Sequence, residues 1–305
     1  MLRLSWFAAA AVVATDLVVY VVALADTSLL VSAGSVLFYG VAVATGPALL
    51  TGAEWLLARG RGRGSAALLV GVGVVGGGYL LLLTGLGLLA PVCDFGNGDA
   101  CAYGTAGAPL WYVLPRTVCI LAVAAGTLGL LAGLGRTDTG GSGPPVAPAL
   151  ASFAVSAGCG LAICAVNLPA TAERLATGVA DSQFLIDEAA SDAYTAAGWL
   201  TGTAAVLVGG VVFLALLARH SGPRRGAAHV FGGLLAFAQL AWTYTALAAN
   251  PVGWQVPNRF HLVSAPLPSW YPPTLATLVV LALVATLAGT VLLLAAGRRR
   301  GMADL

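Results

Sequence analysis

Asp16 and Arg116 are the ionisable side chains that lie well inside long apolar runs, in ATDLVV and LPRTVC. A charge surrounded by hydrocarbon costs at least about 2.5–3.5 kcal/mol, so each needs an opposite charge, water or a ligand. Groups of this kind bind protons, ions or polar solutes, and these two form the expected intramembrane polar site. They are far apart in the chain, and spacing does not say whether they meet. Glu54 stands near a span end and is expected to reach the interface. Asn167, Gln239, Thr243 and Tyr244 are polar groups within spans, expected to bond between helices rather than to line a cavity.

Cysteine chemistry is concentrated in PVCDFGNGDACAYG (91–104), a polar, turn-rich interruption between apolar runs. Cys93 and Cys101 enclose a Gly-rich turn able to close a disulfide, with a loop-entropy gain of roughly 2–3 kcal/mol. The spacing is not that of a CxxC redox motif, and no His or third Cys stands nearby to make a metal site. Cys119, Cys159 and Cys164 fall inside spans and read as small buried residues. The three His are His220, His229 and His261, none at mid-span, so two-His haem ligation between helices has no ligands. Ser/His/Asp triads, HExxH and DxxxD motifs are also missing, and GVGVVGGG (71–78) lacks the strand–turn–helix setting of a dinucleotide loop. These patterns identify no catalytic residue, and no metal or cofactor is expected.

Two connections carry most of the remaining polarity. TAERLATGVADSQFLIDEAASDAYT (171–195) is acidic and Ala-rich, and reads as an amphipathic helix lying on the membrane surface. NPVGWQVPNRFHLVSAPLPSWYPP (250–273) reads as an interfacial aromatic belt. If it instead covers a site, Trp254, Arg259, His261 and Trp270 are the candidate contacts.

The elements that must hold these residues follow from composition. The chain has 305 residues, 59% hydrophobic and 9% charged, with a net charge of +2. Soluble domains are about 25% charged, so lipid is the expected solvent and nucleic acid is not an expected partner. Every one of the 14 basic residues is Arg. The absence of Lys excludes a retinal Schiff base. A bilayer core needs about 20 apolar residues per helix. Eight runs satisfy this, at 5–25, 30–57, 65–90, 109–134, 148–170, 196–218, 228–249 and 274–297. The first, with ALA at 23–25, resembles a signal peptide, but its length and Asp16 favour a retained helix.

Arg residues of the short connections sort to one side, with Arg116, Arg174 and Arg259 alone on the other. By the positive-inside rule both termini are cytoplasmic, in the plasma membrane of a prokaryote, and the Cys93–Cys101 segment faces outward.

An offset of 160 residues lays WLLARGRGRGSAALLVGVG (55–73) over ALLARHSGPRRGAAHVFGG (215–233), so that LLAR falls on LLAR and Gly73 on Gly233. APLWYVLPRT (108–117) resembles APLPSWYPPT (265–274) with a small shift. The expected organisation is two tandem four-helix units, 1–147 and 148–305, in a parallel repeat about an axis along the membrane normal.

Eight helices in two halves with an outer cysteine pair resemble the architecture of haem A synthase. That family's intramembrane His are missing here and its cysteines lie in a different outer loop, so no residue role carries over. The expected class is a multipass membrane protein acting as a transporter or small-ligand binder. The alternatives are an accessory or assembly subunit of a membrane (respiratory) complex, with a membrane-protein partner, or a haem A synthase-like redox protein without haem ligands.

Overall fold

The computed structural model describes residues 2–25, 29–31, 33–59, 65–88, 93–94, 110–134, 146–177, 183–219, 225–248, 252 and 267–298. Eight helices occupy them: α1 (Leu2–Ala25), α2 (Ala33–Arg59), α3 (Ser65–Leu88), α4 (Leu110–Leu134), α5 (Ala147–Thr177), α6 (Gln183–Arg219), α7 (Arg225–Ala248) and α8 (Tyr271–Arg298). All eight are long and apolar enough to cross a membrane. In hydrocarbon every backbone N–H and C=O must be satisfied internally, and a continuous helix does this for each run. The chain is a multipass membrane protein of helical class.

One departure from all-helical structure is a two-residue antiparallel bridge between β1 (Leu29–Leu30) and β2 (Cys93–Asp94), with Leu29 opposite Asp94 and Leu30 opposite Cys93. It ties the α1–α2 connection to the α3–α4 connection. The expected Cys93–Cys101 disulfide is not seen: no cysteine pair stands at disulfide distance among the described residues, and Cys101 lies outside them.

The acidic stretch at 171–195 does not make a separate surface helix. α5 continues through Thr177 with Pro169 inside it, and α6 begins at Gln183 and runs 37 residues without a break. Between Gln183 and Ala197 there is no Gly or Pro, and Ala dominates, so propensity favours extending the span over starting a new element.

The helices form two compact units. The first comprises Met1–Gly140 and Gly222–Leu234, the second Gly141–Ser221 and Leu235–Leu305, so α7 contributes its first half to one and its second half to the other. In the first unit α1 packs on α2 and α4, and α3 packs on α2 and α4. In the second, α5 packs on α6 and α8. Apolar residues surround these helices, so hydrophobicity alone does not mark the inward face. On α1 Phe7, Leu17, Val18 and Val21 are exposed, as lipid-facing residues are, while Ser5, Ala8, Ala9 and Val12 are buried. Small residues let backbones approach, and that approach supplies the dispersion contacts holding helices together in lipid.

α3 supplies a clear case. Pro47, inside α2, has no N–H to give the Val43 carbonyl. The Tyr79 hydroxyl, from α3, donates to that carbonyl. Gly46 is what admits the tyrosine, because a Cβ there would overlap the Tyr79 ring. A second close approach joins α3 to the first half of α7. A Cβ on Gly73 would overlap the Val230 carbonyl oxygen, and one on Gly233 would overlap the Val70 carbonyl oxygen.

Candidate functional site

Asp16 and Arg116 meet where α1 crosses α4. On α1 the buried residues Ser5, Val12, Asp16 and Val19 recur at helical spacing, and on α4 so do Tyr112, Arg116, Ile120, Val123 and Thr127. Tyr112 and Arg116 are four residues apart and share a face. The Tyr112 hydroxyl donates to Asp16 Oδ1 at 2.6 Å, and Arg116 Nε donates to the same oxygen at 3.1 Å. Asp16 is 0% exposed and Arg116 2%. Tyr39 of α2 completes the cluster, its ring centroid 5.2 Å from the guanidinium carbon, with the Tyr112 ring at 6.0 Å.

The electrostatics explain how two charges persist there. The pair is neutral as a whole, and each charge replaces part of the other's lost hydration. The aromatic faces add cation–π attraction, about 0.5–2 kcal/mol depending on desolvation. Asp16 Oδ2 is buried and has no hydrogen-bond partner among the described residues. The cluster therefore retains one carboxylate oxygen able to accept a hydrogen bond from a solute or to take a proton.

The second unit holds a neutral version of the same arrangement. Tyr271 of α8 donates its hydroxyl to Asn167 Oδ1 of α5 at 2.7 Å. Each tyrosine follows a tryptophan set edge-on to it, with centroids 6.3 Å apart for Trp111–Tyr112 and 5.9 Å for Trp270–Tyr271. Leu275 stands four residues after Tyr271, as Arg116 stands four after Tyr112. Leu275 packs against the cluster of Ala170, Val252 and Tyr271.

The remaining candidates divide. Gln239 Nε2 donates to the Phe153 carbonyl at 2.9 Å, Thr286 Oγ1 reaches Gln239 Oε1 at 3.2 Å, and Ser156 pairs with Thr286 at 2.7 Å, so these groups bond helices to one another. Thr243 donates to its own helix at the Gln239 carbonyl, and Tyr244 and Glu54 are exposed. Trp270 donates Nε1 to Glu173 Oε2 at 3.1 Å, linking the α8 start to the α5 end. Trp254, Arg259 and His261 lie outside the described residues, as does His220; His229 is buried near the start of α7. Cys164 is buried, and Cys119 and Cys159 are half-buried. Sequence reasoning overlooked Tyr39, Tyr112 and Tyr271. The Trp-Tyr pair repeated at the start of α4 and α8 was the available signal for two of them.

The chain matches no protein-family model, no curated protein and no solved structure.

Proposed function

We propose that the chain is a tandem duplication of a four-helix unit, of the transporter or small-ligand-binding class, with Asp16, Arg116 and Tyr112 as its polar site. The observation carrying this reading is the charged cluster in one half beside a neutral counterpart in the other. An offset of 151 relates Ser5, Val12, Asp16 and Val19 of α1 to Ser156, Ile163, Asn167 and Ala170 of α5, and all eight are buried. An offset of 159 relates Tyr112, Ile120, Val123, Thr127 and Leu134 of α4 to Tyr271, Val279, Ala282, Thr286 and Leu293 of α8, again all buried. Tyr271 and Asn167 join their two helices without charge. Packing of the repeat therefore does not demand the charges at Asp16 and Arg116, and chemistry accounts for them better.

The test is thermal unfolding of purified protein with a panel of small polar solutes. A ligand at 100 times its Kd stabilises by about 2.7 kcal/mol. A solute that raises the melting temperature of the wild type, but not of Asp16→Asn/Arg116→Leu, supports the site. A panel without effect, together with a stoichiometric partner in gentle purification, supports the accessory-subunit reading. That second reading draws on the buried Ser156, Gln239 and Thr286, which are committed to bonds between helices. The Arg asymmetry supports cytoplasmic termini in a prokaryotic plasma membrane.

A further inference from the structure

Asn167 and Thr171 stand one turn apart on one face of α5, 1% and 2% exposed. Asn167 commits Oδ1 to the Tyr271 hydroxyl, while its Nδ2 has no hydrogen-bond partner among the described residues. Thr171 Oγ1 has none either. This sets Thr171 apart from the other buried threonines. Thr127, Thr243 and Thr286 each donate to the carbonyl four residues back, which is the default for a helical threonine. Two buried polar side chains one turn apart, each with an atom that has no hydrogen-bond partner among the described residues, mark a place for an external hydrogen-bonding group. Its chemistry follows from the lining. Nδ2 is a donor, the Thr171 hydroxyl can accept, and the cluster of Ala170, Val252 and Leu275 packed with Tyr271 is apolar. Arg174, the nearest cation along α5, donates to the Val252 carbonyl. No charge among the described residues is committed to the niche, which favours a neutral occupant.

We propose that Asn167, Thr171 and Tyr271 form a buried water site in the second unit, with the water accepting from Asn167 Nδ2 and bonding to Thr171 Oγ1. A water with two or three polar partners is the ordinary way a fold satisfies such groups. This site is independent of Asp16 and stands or falls apart from it.

X-ray hydroxyl-radical footprinting of the purified full-length protein in nanodiscs tests this, because radiolysis of a bound water labels the side chains it touches. Tyr79 is the internal reference, since it is also buried and its hydroxyl is committed to the Val43 carbonyl. Tyr271 is expected to label several-fold faster than Tyr79. Thr171→Val, which keeps the shape and removes the hydroxyl, is expected to slow Tyr271 labelling several-fold and lower the melting temperature. Thr171→Ser is expected to retain both. Equal labelling of Tyr271 and Tyr79 in the wild type overturns the proposal, and that comparison decides even if Thr171→Val fails to fold. Thr171→Val that raises the melting temperature and leaves labelling unchanged also overturns it, since that is the behaviour of a dry, unsatisfied hydroxyl.

Discussion

Asp16, Arg116 and Tyr112 show how a membrane protein can hold two buried charges: one carboxylate oxygen receives both a phenol and a guanidinium. Removing one member leaves the other charge buried, which costs about 3–5 kcal/mol where a buried pair is broken. Asp16→Asn and Arg116→Leu are each expected to lower thermal stability by that order. The double variant Asp16→Asn/Arg116→Leu writes the second unit's own solution, an amide bonded to tyrosine beside a leucine, into the first. It is expected to recover stability to within about 1 kcal/mol of the wild type, because replacing both members of a buried pair is often neutral. A melting-temperature cycle over the four proteins measures the coupling. Additive losses in the double variant would mean that the charges serve folding, and the case for a chemical site would fall. Tyr112→Phe removes a hydrogen bond to a charged group and is expected to cost about 1.5–3 kcal/mol by the same measurement.

At the scale of elements, six of the eight spans were readable to within about three residues because length and apolarity set them. Which face of each helix turns inward was not, since Leu and Val occur on lipid and interior sides alike. The meeting of Asp16 with Arg116 was equally unreadable, because it depends on the packing of α1 against α4. The ends of α5 and α6 were misread for another reason: a polar sequence can extend a span beyond the apolar layer, and polarity was taken for a break. Packing details also give tests. Tyr79→Phe strands the carbonyl left open by Pro47 and is expected to cost about 1–3 kcal/mol. Pro47→Ala restores the missing N–H, so it should rescue Tyr79→Phe in a double-variant unfolding experiment. Absence of rescue would show that the tyrosine acts by packing alone. Gly71 faces open space, whereas Gly73 and Gly233 face backbone. Ala at Gly71 is therefore expected to be neutral or stabilising. Ala at Gly73 or Gly233 is expected to cost about 1–3 kcal/mol, the range for overpacking a close contact.

For the whole molecule, topology comes down to which side of the membrane each connection faces. An up-and-down chain of eight spans alternates its connections between two sides. The β1–β2 bridge, pairing the α1–α2 connection with the α3–α4 connection, agrees with that alternation in the first unit. The Arg distribution supports the proposed sides, since Arg in short connections tends to be retained in the cytoplasm. Arg61 and Arg63 follow α2, Arg136 follows α4, Arg224 precedes α7, and Arg299 and Arg300 follow α8. With the five native cysteines replaced, single cysteines near Gly62, Ser142, Gly222 and Met302 are expected to resist a membrane-impermeant thiol reagent in intact cells. Those near Asp181 and Ser264 are expected to react. Permeabilising the cells should make all six react, which separates sidedness from burial. Labelling at Gly62 before permeabilisation, with protection at Asp181, would invert the topology and place the Arg-rich connections outside. That outcome would also remove the argument that the Cys93 connection faces outward, because the same alternation ties it to the side opposite Gly62.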